Sequence, residues 1–165
     1  SSINSNININ VVDKKLSESE FDLYVKKNSV DAILDCSDNF QTRYSINKVA
    51  FKNKIPLISG SAIRLECQLG IFDFRDNNSA CYECLFPDNG EENELRCADH
   101  GILAPVVGII GIMQSLEAIK VLLNLNPIKN KLRIFDVHLR LLDRLNTVVF
   151  NLSDSLTSDP VRLSN

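Results

Sequence analysis

The feature that most constrains the fold of this chain is the stretch "VDAILDC", residues 30–36, a mostly apolar run that ends at an acid. A strand in a parallel sheet has this pattern, because helices cover both of its faces. A second run of this kind, "PLISGSA", occupies residues 56–62, and the helical pattern of residues 37–54 lies between the two. Strand, helix and strand in this order predict a parallel β-α-β unit.

The stretch before this unit predicts one more strand and one more helix. "NINVV", residues 8–12, has the pattern of a short strand. Ser17 and Glu20 have the spacing of a capping box, and lysines follow at residues 26 and 27, so a helix is predicted over residues 18–27.

The second half of the chain has a different character. "LECQLGIFDF", residues 65–74, alternates apolar and polar residues as a half-exposed strand does. A helix is predicted over residues 105–123, in which Met113, Leu116, Ile119 and Leu123 recur at helical spacing while Gln114, Glu117 and Lys120 occupy another face. "KLRIFDV" and "LNTVVFNL" predict two further strands.

Together these elements predict an α/β fold. We expect a mostly parallel sheet with helices on both faces, whose second half adds antiparallel strands and a long crossover loop. Residues 1–152 are predicted to form one domain, and the polar tail, residues 153–165, is expected to be loose.

Charge and composition exclude several classes of protein. The net charge of −3 and the absence of Lys/Arg runs longer than two argue against a nucleic-acid-binding face. The longest apolar run, residues 102–113, is shorter than the roughly 20 residues of a membrane span, and no signal peptide is visible. An odd count of five cysteines favours reduced thiols, so we expect a cytoplasmic protein without a membrane partner.

Polar side chains follow the first buried strand where the chain turns into a helix. Ser37, Asp38 and Asn39 lie just past the predicted carboxyl end of this strand, where open α/β sheets bind ligands. A carboxylate there can hold magnesium bound to phosphates. The alternative is that one of the three only caps the helix. Arg43, one turn on, either reaches the same phosphate or is a solvated surface arginine.

Three of the five cysteines lie in "ACYECLFPDNGEENELRCADHG", residues 80–101. The C-x-x-C spacing of Cys81 and Cys84 suits half of a tetrahedral zinc site, a dithiol redox pair or two inert core cysteines. Cys97 follows Arg96 in the same stretch, and neighbouring positive charge favours a thiolate. Cys97 is therefore either a nucleophile or an ordinary loop cysteine.

These stretches occur together in one known family. "DAILDCSDNFQTRYSINKVAF", "PLISGSAIRLECQL", "CYECLFPD", "LRCADHGILAPVVGIIGIMQSLEAIK" and "RIFDV" resemble, in order and spacing, the ThiF/MoeB/HesA family of ubiquitin-activating-enzyme-like adenylyltransferases. The resemblance runs from about residue 8 to residue 142. It implies a Rossmann-like fold.

The resemblance also implies an activity and partners. Such enzymes use ATP and magnesium to adenylate the C-terminal glycine of a ubiquitin-like sulfur carrier of the ThiS or MoaD type. The activated carrier then takes up sulfur for thiamine or molybdopterin cofactor biosynthesis. Family members are homodimers, and a cysteine desulfurase or a rhodanese is the expected sulfur donor.

Site roles follow by motif match. The resemblance makes Asp38 the catalytic acid associated with magnesium and phosphate. Ser37 and Asn39 line the nucleotide pocket, and Arg43 supports it. For the C-x-x-C pair, Cys81 and Cys84, the resemblance implies half of a structural zinc site. For Cys97 it implies a catalytic role, in which the cysteine bonds to the carrier terminus through sulfur.

The chain departs from the family pattern in two places. Family members begin with a glycine-rich phosphate loop, whereas no glycine precedes Gly60 here, and we expect this loop to lie upstream of Ser1. The family closes its zinc site with a second C-x-x-C, whereas the matching region here, "SDPVRLSN", has no cysteine. The alternatives to an adenylating enzyme are therefore a non-catalytic module for carrier binding or dimerisation, and a degenerate fragment.

Overall fold

Helices and strands alternate in the first half of the molecule, and strands dominate the second. The structure, a computed structural model, describes residues 4–87, 101–125, 127, 129, 131–136 and 146–151. In chain order the elements are α1 (Glu18–Asn28), β1 (Ile33–Asp35), α2 (Phe40–Lys52), β2 (Leu57–Ile63), β3 (Glu66–Phe72), α3 (Tyr82–Leu85), α4 (Ala104–Leu122), β4 (Lys131–Asp136) and β5 (Asn146–Asn151).

The five strands form one sheet in the order β1-β2-β3-β4-β5. Strand β1 pairs with β2 in parallel, and the other three pairings are antiparallel. The predicted α/β class and the antiparallel second half are confirmed. The sheet was predicted to be mostly parallel, but only one of the four strand pairings in the described residues is parallel.

The predicted first strand is absent from this sheet. Residues 8–12 have no regular secondary structure, and the side chains of Ile9 and Val11 are 66% and 82% exposed. Their alternation with asparagines has the period of a strand, but a strand forms only where a neighbour takes up its backbone hydrogen bonds. No described strand pairs with this segment, so this prediction was wrong.

Both helix starts in the first half follow their capping residues. Ser17 caps α1 and forms the predicted capping box with Glu20, whose carboxylate accepts from the Ser17 amide at 2.9 Å. Asn39 caps α2, since its Oδ1 accepts from the Thr42 amide at 2.8 Å. The capping box predicted from sequence therefore marks the start of α1 correctly.

Two hydrophobic clusters cover opposite faces of the sheet. Leu57 and Phe72 pack with residues of α1, α2 and α3 on one face, while their neighbours Ile58 and Ile71 pack under α4 on the other. All four side chains are almost fully buried, and burial of each contributes about 1.5–3 kcal/mol. Helices therefore lie on both faces of the sheet, as predicted.

Strand β3 is more buried than its sequence predicts. Cys67, Leu69, Gly70, Ile71 and Phe72 are all buried, so both faces of the strand are covered. The polar alternation of "LECQLGIFDF" predicts one solvated face, and that prediction was wrong. The physical reason is that α4 packs across one face of β3, while the cluster that contains Phe72 covers the other face.

Helix α4 buries two polar side chains within its core-facing side and leaves several apolar side chains exposed. Gln114 and Glu117 are each 3% exposed, whereas Leu116 and Ile119 are more than half exposed. By length and hydropathy this helix is able to span a membrane, a test that core helices of soluble proteins also pass. Here it packs on β2 and β3, as a core helix does.

Candidate functional site

A cavity of about 410 Å³ opens where β1 and β2 end. The turn that leads from β1 into α2 forms one wall, the end of β2 forms a second, and α4 forms a third. Ser37, Asp38, Asn39 and Arg43 all line it, so the structure brings the four predicted nucleotide-site residues together. The remaining wall is largely apolar and includes Phe86 and Ile102.

A larger groove, of about 660 Å³, lies between α1 and α2. It is lined mainly by apolar side chains such as Phe21, Val25 and Ile46, and none of the four predicted residues lines it. Because a site for chemistry needs convergent polar groups, we place the candidate site in the smaller cavity.

The Asp38 carboxylate stands at the mouth of this cavity. Asn39 uses its Oδ1 to cap α2, so the capping role falls to Asn39 and leaves Asp38 exposed. The contact of Asp38 within the turn is a hydrogen bond that its Oδ1 accepts from Asn39 Nδ2 at 3.2 Å. An exposed carboxylate beside a helix N-terminus has the chemistry required to hold a magnesium ion on a phosphate chain.

The Asp35 carboxylate binds Ser37 through two hydrogen bonds. The Ser37 amide and hydroxyl both donate to Asp35 Oδ1, at 2.9 Å and 2.6 Å. Asp35 is 1% exposed and ends β1, so this side chain builds the turn from inside the protein. The Ser37 hydroxyl is thus part of the scaffold of the turn, while its residue still lines the cavity.

The guanidinium of Arg43 is buried and fully engaged at its two terminal nitrogens. Nη1 donates to Asp35 Oδ2 at 3.1 Å and to Ser59 Oγ at 3.0 Å. Nη2 donates to the carbonyl oxygens of Ser37 and Gly60. Each terminal nitrogen carries two N–H groups, so all four have partners within the protein. This geometry favours a structural role for Arg43 over the predicted support of phosphate.

The aromatic ring of Tyr82 lies beside the Arg43 guanidinium. The Arg43 Cζ lies 6.0 Å from the centroid of the Tyr82 ring, at the outer limit of a cation–π contact. Burial raises the pKa of the Tyr82 hydroxyl. The Tyr82 amide donates to Asn47 Oδ1 at 3.0 Å, which ties α3 to α2.

Sequence reasoning missed Gln114, which reaches the site from α4. Its Nε2 donates to the carbonyl oxygens of Asp35 at 2.8 Å and Ile58 at 3.1 Å, and its Oε1 lies 3.6 Å from the Cys36 thiol, which donates to it. Gly60 makes room for it, because a Cβ there would lie 2.3 Å from Gln114 Cδ. One signal in the sequence was a glutamine directly after the apolar run of residues 102–113.

Asp35 and Ser59 were also missed. Ser59 Oγ donates to Asp35 Oδ2 at 2.9 Å, deep between β1 and β2. The sequence signal for Asp35 was an acid that closes a buried strand. For Ser59 there was no local signal, because its partners lie 16 and 24 residues away.

The predicted metal pair, Cys81 and Cys84, forms a close couple at the start of α3. Their sulfur atoms lie 2.8 Å apart, and burial together with the neighbouring Cys84 raises the pKa of Cys81 to about 11. Zn–S bonds of about 2.3 Å separate two thiolates by roughly 3.8 Å, so these sulfurs would move apart by about 1 Å to bind zinc. Cys84 is exposed and has room to do so.

The pair supplies two soft ligands and needs two more. Among the residues that the structure describes, no cluster of three or more His, Cys, Asp or Glu side chains forms a metal site. Cys67 is buried in β3, on the α4 side of the sheet, where burial raises the pKa of its thiol. Zinc therefore stays a prediction that the described residues fit only in part.

Cys97 lies outside the described residues, and so does His100. The chain is described again from Gly101, and its return is pinned to the tip of the β2–β3 hairpin. The Arg64 amide donates to the Gly101 carbonyl, and the Leu103 amide donates to the Arg64 carbonyl, each at 3.1 Å. This anchor sets Ile102 in the wall of the cavity.

Comparison with known proteins places this geometry in a family. The sequence profile of the ThiF family matches residues 1–151. A molybdopterin-synthase adenylyltransferase of Salmonella typhimurium is 38% identical over 135 residues, which cover 81% of this chain and 53% of that protein. An adenylyltransferase and sulfurtransferase MOCS3 of Aedes aegypti is 42% identical over 112 residues, which cover 67% of this chain and 25% of that protein.

Solved structures share the fold at low sequence identity. A crystal structure of E. coli MccB with ATP superposes with a TM-score of 0.55 at 16% identity, and the match covers 78% of this chain and 39% of that one. A crystal structure of PaaA gives a TM-score of 0.57 at 14% identity, with 84% and 46% covered. The chain spans about half, or less, of the length of the proteins it matches.

Proposed function

The chain belongs to the ThiF family, and from this premise we propose that it takes part in the ATP-dependent adenylation of the C-terminal glycine of a ubiquitin-like sulfur carrier. The observation that carries the proposal is the cavity at the carboxyl ends of β1 and β2, with the Asp38 carboxylate at its mouth. Relatives named for molybdopterin synthase, MOCS3 and UBA4 favour a MoaD-type carrier over a ThiS-type one.

Adenylation involves the negative charge of the ATP phosphates, and groups at this cavity are suited to compensate that charge. The carrier carboxylate attacks the α-phosphate of ATP, a new C–O–P bond forms, and the bond to pyrophosphate breaks. The N-terminus of α2, which has a positive dipole end, lies at this cavity, and helix N-termini bind phosphate through their amide N–H groups. When magnesium is bound, it neutralises phosphate charge and aligns the leaving group; Asp38 is the residue that would hold it.

The chain's own residues hold this arrangement rigid. Asp35 and Arg43 fix Ser37 and the main chain of the turn, so Asp38 is presented from a turn that is tied on both sides, by Ser37 and by the Asn39 cap. Preorganised groups of this kind stabilise a transition state without reorganising during the reaction. The apolar wall that includes Phe86 and Ile102 bounds the space in which the activated ester would form.

A second function is favoured by one observation. The described lining of the cavity includes two glycines, Gly60 in β2 and Gly111 in α4, and neither belongs to a glycine-rich loop of the kind that holds a triphosphate. A module that binds the carrier without adenylating it is consistent with this feature.

Pyrophosphate exchange separates the two functions. We expect the purified protein with a MoaD-type carrier to incorporate labelled pyrophosphate into ATP, in a carrier-dependent and magnesium-dependent manner. A ThiS-type carrier run in parallel tests the choice of carrier. Carrier binding that is the same with and without ATP, together with no exchange, would instead identify the binding module.

A further inference from the structure

Gln114 connects three parts of the molecule that are distant in sequence. Its side chain leaves α4, crosses the space above Gly60, and reaches the main chain at the ends of β1 and β2. It is 3% exposed, and its two donor contacts run to residues 79 and 56 positions away. Such a buried amide is tolerated because its polar atoms have partners, so its position is specified by these contacts.

The two carbonyls that Gln114 binds lie at the end of a parallel ladder. In the β1–β2 pairing Leu34 lies opposite Ile58 and Asp35 lies opposite Ser59, and there the ladder ends. Beyond it the chain turns through residues 36–39 into α2. Nε2 of Gln114 donates to the carbonyls of Asp35 and Ile58, so the glutamine binds both strands where the sheet ladder stops.

We propose that Gln114 is a positioning residue for the turn at residues 36–39, acting through the main chain of Asp35 to hold Asp38 at the mouth of the cavity. Its amide fixes the backbone of β1 from the α4 side, while the Asp35 carboxylate fixes Ser37 from the opposite direction. Gln114 is not assigned contact with a substrate. Its action on catalysis rests on the proposed adenylation, whereas its action on the turn does not.

The first test measures the turn directly. Gln114→Met keeps the length and removes the donors, so hydrogen exchange of the Ser37 amide, which donates to Asp35 Oδ1, should quicken about tenfold when followed by NMR. Gln41→Met makes the same chemical change at an exposed position of α2 and should leave this amide unchanged. Amides of residues 47–52 serve as the internal reference. Unchanged exchange at Ser37 in Gln114→Met would overturn the proposal.

A second variant covers the case in which Gln114→Met does not fold. Gly60→Ala keeps the glutamine but places a methyl group where its amide lies, so the side chain must withdraw from the two carbonyls. We expect the same local increase in exchange at the Ser37 amide. A folded Gly60→Ala protein with wild-type exchange there would also count against the proposal.

The kinetic test separates positioning from simple loss of fold. With thermal stability measured alongside, Gln114→Met should raise the KM for magnesium-ATP about tenfold and change kcat by less, because a displaced Asp38 weakens nucleotide binding in ground state and transition state alike. Equal KM values for wild type and variant would contradict the role. If wild-type protein shows no exchange of pyrophosphate, adenylation fails as a function, and hydrogen exchange still decides the role of Gln114 in the turn.

Discussion

Arg43 and Asp35 form a buried ion pair at the end of β1, with 3.1 Å between Nη1 and Oδ2. Their side chains are 6% and 1% exposed, and Ser59 bridges them. Removal of one member of a buried pair leaves a charge without compensation. We therefore expect Arg43→Met to lower the free energy of unfolding by about 3–5 kcal/mol, measured by urea denaturation.

Arg43→Lys tests the geometry of the same contact. A lysine keeps the charge but cannot direct donors to Asp35, Ser59 and two carbonyls at once, so we expect about half of that loss. Arg64→Lys, at an exposed arginine, is the matched control and should change stability by less than about 0.5 kcal/mol. Wild-type stability in Arg43→Met combined with weaker ATP binding would show that Arg43 serves the phosphate after all.

For Asp38 we expect the opposite of Arg43, a small effect on stability and a large effect on activity. It is exposed, so Asp38→Asn should change the free energy of unfolding by less than about 0.5 kcal/mol. If Asp38 holds magnesium on the nucleotide, carrier-dependent pyrophosphate exchange should fall by about 10²–10³-fold. Asp31→Asn makes the same change at another exposed aspartate and should retain full exchange. Exchange within twofold of wild type in Asp38→Asn would remove Asp38 from the site.

Whether a residue of this site could be predicted from the sequence depends on how far its partners lie from it along the chain. Asn39 and its cap involve residues three apart, and the capping box of Ser17 and Glu20 has the same spacing, so local pattern was sufficient for both. The residues that line the cavity from the turn after β1 were predicted because parallel strands place ligands at their carboxyl ends.

Contacts made across the fold could not be predicted from local spacing. Gln114 reaches Asp35 over 79 residues, and its burial reverses the usual expectation that the polar side of a helix faces water. From its position one turn after Asp38, Arg43 was predicted either to reach the phosphate or to be a solvated surface arginine, and the family resemblance implied support of the nucleotide pocket. Two of the four partners of Arg43, Ser59 and Gly60, come from β2, so only the tertiary structure shows that all its terminal donors are used.

Asp73 provides a stability test with a defined dependence on pH. It is 1% exposed and accepts from Arg75 at 2.7 and 2.8 Å and from Lys129 at 2.8 Å. The Arg75 hydrogen bonds, with Lys129, lower the pKa of this carboxyl to about 2. Because the folded state holds the pKa below its unfolded value, the stabilisation is complete above the unfolded pKa and is lost as pH falls from about 4 through 2.

Asp73→Asn should therefore cost about 1–3 kcal/mol of unfolding free energy at pH 7. The difference from wild type should shrink as pH falls toward 2, since the wild-type carboxyl then becomes neutral as well. Urea denaturation at a series of pH values measures this, and Asp31→Asn serves as the exposed control. A difference that stays constant between pH 7 and pH 2 would show that the Asp73 charge contributes no stability.

The cysteine pair predicts a metal content that depends on both thiols. If Cys81 and Cys84 bind zinc, protein purified without chelator should carry zinc, and Cys81→Ser or Cys84→Ser should each abolish it, because the remaining ligands cannot hold the metal alone. Cys67→Ser is the control, since that thiol is buried in β3 on the opposite side of the sheet. A zinc-to-protein ratio near zero in the wild type would identify the pair as structural or redox-active thiols.

The exposed apolar side of α4 predicts self-association, in line with the homodimer that the family resemblance implies. Ile112, Leu116 and Ile119 are 70%, 55% and 52% exposed and recur along one side of the helix. Apolar surface of this kind is stabilised when a second copy covers it. Ile112→Ser combined with Leu116→Ser should weaken a dimer by at least about 100-fold, measured by sedimentation equilibrium.

Leu23→Ser supplies the control for this change, because Leu23 is an equally exposed leucine on α1, at 67%. It should leave the dimer constant unaltered, since α1 and α4 lie on opposite faces of the sheet and one interface through α4 does not include α1. If Leu23→Ser weakens association as much as the α4 variant does, association is unspecific hydrophobic contact. If the wild-type protein is a monomer at every concentration measured, α4 is not a dimer surface, and its apolar side needs another partner.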